Sequence, residues 1–149
     1  MNVDQEIEPL VKKVVVPVGV ERAFEVFTAE MSAWWPLPSH SVGADKAREV
    51  RLEGAVGGRI VEYGDDGEIS SWGTVSDWDP PKSVSFTWHP GSDPQQAGQV
   101  TVTFATVDDG TEVELVHSGW ERRADAVRAR AGYDTGWDYV LAQYVSGTR

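Results

Sequence analysis

Two ionisable side chains lie in patterns that could bring them indoors, where a proton or a ligand could be handled. His117 follows Val113 and Leu115 on the apolar phase of TEVELVHSGW, a run that alternates as a strand does. A buried imidazole must be hydrogen-bonded or bear the cost of desolvation. His117 therefore either orients a ligand carbonyl or hydroxyl, acts as an acid or base, or bonds structurally to a tryptophan N–H, a tyrosine or a backbone carbonyl. Glu62 sits in RIVEYG, where either Ile60 and Glu62 or Val61 and Tyr63 face inward. An inward Glu62 would be a candidate general base. An outward Glu62 with Tyr63 inward is the more economical arrangement.

Aromatic residues supply the other signal, with seven tryptophans in 149 residues. Each buried indole wants an acceptor for its N–H, and an excess of Trp points to a pocket or interface more than to plain core. Trp88 shares the apolar phase of KSVSFTW with Val84 and Phe86, and Trp137 lies on an apolar helical stripe. Trp72 and Trp78 are ambiguous: a simple register across DPPK pairs Val75 with Phe86, so a bulge would be needed to turn both inward. His40, in PLPSHSVG, reads as a solvent-exposed loop residue that could hang over an entrance, and His89 as exposed at a strand end. The three histidines have no HxH or HExxH spacing and cysteine is absent, so neither a metal site nor a disulfide is expected. No GxSxG elbow is present, and the glycines of GAVGGR lie between strands as a turn, not a phosphate loop. No cofactor and no catalytic residue is assigned on these grounds.

Positioning such groups requires a sheet and a cover. PLVKKVVVPV reads as a strand, VERAFEVFT as a short amphipathic helix, and AEMSAWW as one more turn stopped by Pro36 and Pro38. Six strand-like runs follow: AREVRLEG, GGRIVEYG, EISSWGTVSDW, KSVSFTW, GQVTVTFATV and TEVELVHSGW. Asp66-Gly67 and Asp109-Gly110 read as two-residue hairpin turns. The second would set Phe104 opposite Leu115 and Val102 opposite His117, gathering Val100, Val102, Phe104, Val113, Leu115 and His117 on one face. The cover for that face is the last segment, where Tyr133, Trp137, Val140, Leu141 and Tyr144 fall on one helical stripe. The pattern predicts an α+β fold of about seven strands, a bent antiparallel meander around a long C-terminal helix, forming one domain over 1–149.

Composition narrows the partners. The net charge of −11, from 24 acids and 13 bases, repels nucleic acid and anionic lipid. Arg122, Arg123, Arg128 and Arg130 crowd into one segment that reads as a solvated, partly ion-paired face. No apolar run approaches the ~20 residues of a membrane span, and MNVDQEIEPL lacks the basic and apolar regions of a secretory signal. A cytoplasmic location is the expectation. The oligomeric state stays open, a homodimer among the options.

WGTVSDWDPPKSVSFTW, VELVHSGWE and GWDYVLAQY occur in the order of a known family. The chain resembles the activator of 90-kDa heat-shock-protein ATPase homologues, within the START-like (SRPBCC, birch-pollen-allergen-like) superfamily, from about Val11 to its end. The resemblance implies a helix-grip fold with a cavity between the sheet and the last helix, whose members bind lipids, sterols or polyketides. It sets Trp34 and Trp35 near the cavity mouth, and it favours the structural role for His117. It leads to a ligand-binding set of Trp34, Trp35, Trp72, Phe86, Trp88, Val102, Phe104, His117, Tyr133 and Trp137. The expected function is holding a small hydrophobic or amphipathic molecule. The alternatives are a cavity enzyme of the cyclase or hydrolase kind using His117 or Glu62, and a chaperone-associated interaction domain.

Overall fold

The structure, a computed structural model, describes residues 7–149; Met1–Glu6, part of the acidic segment read above, lie outside the described residues. The β-branched runs become seven strands: β1 (Leu10–Val16), β2 (Ala47–Leu52), β3 (Arg59–Gly64), β4 (Gly67–Asp79), β5 (Ser83–Trp88), β6 (Gly98–Val107) and β7 (Gly110–Ser118). Helices α1 (Val20–Phe27) and α2 (Met31–Trp34) follow β1, and α3 (Ala126–Gly147) closes the chain. The strands form one curled antiparallel sheet in the order β1-β7-β6-β5-β4-β3-β2, a meander from β2 to β7 with β1 added at its far edge. With α3 across the concave side, this is the helix-grip fold.

Period-two patterning decides which side is concave. Val84, Val102 and Leu115 make one cross-strand row and Phe86, Val100 and His117 the next, all of them buried. The face composition matches the sequence reading, but the partners differ by two residues: Phe104 lies opposite Val113 and Val102 opposite Leu115. The reason is in the turn. Val107 pairs with Gly110 and Gly64 with Gly67, so each DDG motif turns on its two aspartates, and neither aspartate has positive φ. Gly110 and Gly67 instead take φ of 140° and 111° at the first strand position. A slip of two keeps the inward set intact, so the faces are the same in either register.

Strand β4 departs from regular pairing, and this settles the two ambiguous tryptophans. Its register slips at Ile69 and Trp72 against β3 and at Ser76 against β5. Val75 does pair with Phe86, and past the bulge at Ser76 Trp78 comes opposite Val84. The bulge at Trp72 leaves that indole wholly buried, and Gly73 lies so close to β5 that a Cβ there would fall 1.7 Å from the Thr87 carbonyl oxygen.

Helix α3 is seated by the predicted stripe: Trp137, Val140, Leu141 and Tyr144 are buried and Tyr133 partly so. Tyr144 Oη donates to the Ala23 carbonyl of α1 at 2.7 Å, fastening the helix beneath. Lys12, on β1, reaches Asp134 at 2.5 Å and Asp138 at 3.0 Å on the outer turns of α3. The arginine-rich segment is paired as expected, with Arg123 on Asp125 at 2.8 Å and Arg130 donating to the Glu8 carbonyl at 2.7 Å. Among the described residues, no helix is long and apolar enough to cross a membrane.

Candidate functional site

The deep end of the grip is solid. Phe24 and Phe27 of α1 meet Phe104 edge-on at 5.1 and 5.9 Å between ring centres, and Tyr144 closes on Phe27 and Trp34 at 5.1 Å. Space remains toward the other end of α3, where β5 stops and the loop after α2 crosses. There a cavity of about 360 Å³ is bordered by Trp35, His40, Val42, Trp88, Tyr133 and Trp137, with Gly136 and Pro90 at its edge. Among the described residues no lysine, arginine, aspartate or glutamate lines it, although Arg123, Asp125 and Arg128 line an adjoining groove that shares His40, Tyr133 and Gly136 with it.

Each wall has a local cause. Trp88 is the last residue of β5 on the inward phase, paired with Gly98, where a Cβ would fall 2.9 Å from His117 Nε2 and 2.8 Å from the Ser118 carbonyl oxygen. Trp137 is held from behind, its Nε1–H donating to His117 Nδ1 at 3.0 Å. Tyr133, one turn earlier on α3, stacks on Trp137 with 29° between planes. Trp35, the residue just after α2, donates from Nε1 to the His40 carbonyl at 2.7 Å, pinning the start of the crossing loop. The loop's far end is pinned by Glu62: Oε1 accepts from Val42 N at 2.9 Å and from Trp72 Nε1 at 2.9 Å, and Oε2 from Gly43 N at 2.7 Å.

That arrangement overturns the outward placement expected for Glu62. The side chain is fully buried while Tyr63 is only half-buried beneath the Arg51 guanidinium, 5.2 Å from the ring centre. Three N–H donors occupy three of the four lone-pair directions of its two oxygens, so it organises the loop, and it is not among the residues that line the cavity. His89 is likewise buried where exposure was expected, because its backbone N–H extends the pairing to the Trp72 carbonyl at 2.6 Å. His40 is neither free in solvent nor indoors. It is half-buried on the cavity rim, stacked on Tyr139 of α3 at 5.0 Å, with Nδ1 2.7 Å from Ser39 Oγ.

His117 performs the structural task among the options its sequence allowed. As acceptor for the Trp137 indole at Nδ1 it carries its proton on Nε2, and its ring lies against Trp120, 4.1 Å between centres. Burial, with a smaller contribution from Arg123, pushes its pKa down to about 3, so the imidazole is neutral across the physiological range. Burial also raises the Tyr133 phenol above its ordinary value.

The model of the family described as "Activator of Hsp90 ATPase homolog 1-like protein" matches residues 17–145. The chain belongs to this family. No curated protein matches it. Among solved structures, protein MLL2253 from Mesorhizobium loti is 21% identical, with 94% of this chain and 96% of that one covered at a TM-score of 0.71. The Aha1 dimer from Colwellia psychrerythraea is 17% identical over 95% and 96% of the two chains, TM-score 0.70. An anthrahydroquino-γ-pyrone synthase, Txn09, solved as a complex with SUM, is 34% identical over 95% of this chain and 97% of its own, TM-score 0.64.

On this Hsp90-activator-homologue frame, the structure brings together four of the ten residues singled out by sequence. Trp35, Trp88, Tyr133 and Trp137 border the cavity. Trp34, Trp72, Phe86, Val102, Phe104 and His117 are buried away from its lining. Trp72 nonetheless backs the wall, 5.2 Å from Trp35 and 5.7 Å from Trp88. Sequence reasoning missed Gly136, and undervalued His40. A glycine on the inner face of the predicted helix, one residue before Trp137, was the available signal for the first.

Proposed function

We propose that this protein holds a neutral, planar aromatic molecule in the cavity between the end of β5, α3 and the 39–43 loop. The observation that carries this is the lining itself: three indoles and a phenol around about 360 Å³, with no charged side chain among them. Flat apolar walls favour stacking by a flat apolar guest, and an anion or cation would enter without a counter-charge. The 34% identity with a synthase whose name contains a fused anthracene-like ring system supports the same ligand class. Outward-displayed tryptophans, which a chaperone-docking role would call for, are not seen: six of the seven are buried and Trp78 is half-buried.

The test is a titration of intrinsic fluorescence with 9-fluorenone, an aliphatic acid and a sterol, followed by native mass spectrometry. Trp35, Trp88 and Trp137 are next to the site, so an aromatic guest quenches strongly while the acid and sterol do not. Folded protein with no response to the aromatic probe refutes the proposal.

A second reading is enzymatic, and it is favoured by the likeness to Txn09 together with the Ser39–His40 pair on the rim. His117 and Glu62 are both committed to internal bonds, so a proton would be moved at His40 Nε2. In that reading His40→Gln leaves aromatic binding intact and abolishes conversion of a hydroxylated polyketide substrate. Unchanged conversion would remove it.

A further inference from the structure

The seven indoles are not treated alike. Trp34 donates to the Val26 carbonyl, Trp35 to the His40 carbonyl, Trp72 to Glu62, Trp120 to the His117 carbonyl and Trp137 to His117 Nδ1, at 2.7 to 3.0 Å. Trp78 is half-buried and can meet water. Trp88 alone is buried without an acceptor; with Ser92 Oγ, its Nε1 makes up the buried side-chain polar atoms lacking a partner among the described residues. Both lie on one short segment, Trp88–Ser92, whose Trp88, Pro90 and Gly91 border the cavity. The Tyr133 hydroxyl is close enough to the Trp88 N–H to feel it as a weak donor, which offsets part of the rise that burial gives the phenol, but the contact falls outside hydrogen-bond geometry. A fold that satisfies every other buried indole and leaves one donor unpaired on the cavity wall has a donor in reserve.

We infer that the Trp88 Nε1–H is the specificity-determining anchor of the site, and that it selects guests carrying a carbonyl oxygen (a ketone, quinone or pyrone) over aromatic hydrocarbons of the same shape. The inference rests on the aromatic-guest reading above. An indole N–H only donates, so the guest must supply an acceptor. With no cation among the described residues that line the cavity, that acceptor is a neutral carbonyl and not a carboxylate or phosphate.

9-Fluorenone and fluorene test it, being flat three-ring molecules that differ in one carbonyl. The wild type binds the ketone about 2- to 12-fold more tightly, the range of one net neutral hydrogen bond. Trp88→Phe, which keeps an aromatic wall, binds the two equally. Indole 15N–1H spectra of the wild type give an independent readout if that variant folds poorly. One of the indole resonances, Trp88, moves downfield with the ketone and not with the hydrocarbon. Equal binding of both probes by the wild type, with no such shift, overturns the anchor while leaving the aromatic site standing. Binding of neither overturns the site itself.

Discussion

Gly136 offers a perturbation whose two effects have opposite signs. It lies in the interior of α3 on the edge of the cavity, and a Cβ built there meets no heavy atom within 4 Å. Glycine within a helix costs about 0.5–1 kcal/mol relative to alanine, through backbone entropy. No packing contact compensates for that loss here, so Gly136→Ala raises the unfolding free energy by about that amount, or about 1–4 °C in Tm at this chain length. The added methyl is too small to obstruct a flat guest. Gly136→Leu keeps the helical gain but projects its branched end into the ligand's space, and binding of 9-fluorenone falls at least ~10-fold, the equivalent of about 1.4 kcal/mol. Gly132→Ala is the control, equally open around its Cβ and outside the cavity lining. Urea unfolding followed by tryptophan fluorescence measures the first effect and probe titration the second. If the Gly136→Leu protein is as stable as the wild type and binds 9-fluorenone unchanged, the placement of the site is refuted. If Gly136→Ala is destabilised, the claim that the position is open fails.

Two further outcomes follow from the buried polar groups. His117 has a native pKa near 3 against an ordinary value of 6.5, so the unfolded chain binds its proton first. The stability it contributes is complete above pH 6.5 and is lost as the pH falls toward 3, by at most about 1.4 kcal/mol per unit. The difference between the pH–stability curves of the wild type and His117→Gln should show that slope between about pH 6 and 4, and parallel curves would contradict it. Glu62→Gln replaces one acceptor oxygen by an N–H donor facing another N–H, and costs about 1–3 kcal/mol in urea unfolding. Amide exchange at Val42 and Gly43 accelerates with it, and unaltered exchange there would show that Glu62 does not hold the loop.

Much of this molecule is legible in one dimension because its strands obey simple periodicity. Alternation in GQVTVTFATV and TEVELVHSGW sorts inner from outer residues without knowledge of the register, and a two-residue slip leaves that sorting untouched. Spacing along the final helix likewise identifies its buried stripe, since 3.6-residue periodicity is a property of the chain alone. Glu62 escapes such a reading for the complementary reason. RIVEYG places Ile60, Val61 and Glu62 all indoors, and economy of burial favours tyrosine over glutamate until one knows that three N–H groups wait for a carboxylate. Two of those donors come from Val42 and Gly43, some twenty residues away, and the third from an indole turned inward by a bulge.

The cavity belongs to the same class of fact. Local pattern alone selects the strands, the helices, the greasy face and the wealth of tryptophan, because each depends on neighbours within a few positions. Where packing is complete and where it stops depends on how α1, α2 and the loop before β2 fill the grip. Phe24, Phe27, Trp34 and Tyr144 close one end, and the absence of a side chain at Gly136 helps leave the other unfilled. Which indole lacks an acceptor is likewise decided only when all the acceptors have been placed in space, since hydrogen bonds at about 3 Å join residues that the sequence keeps far apart.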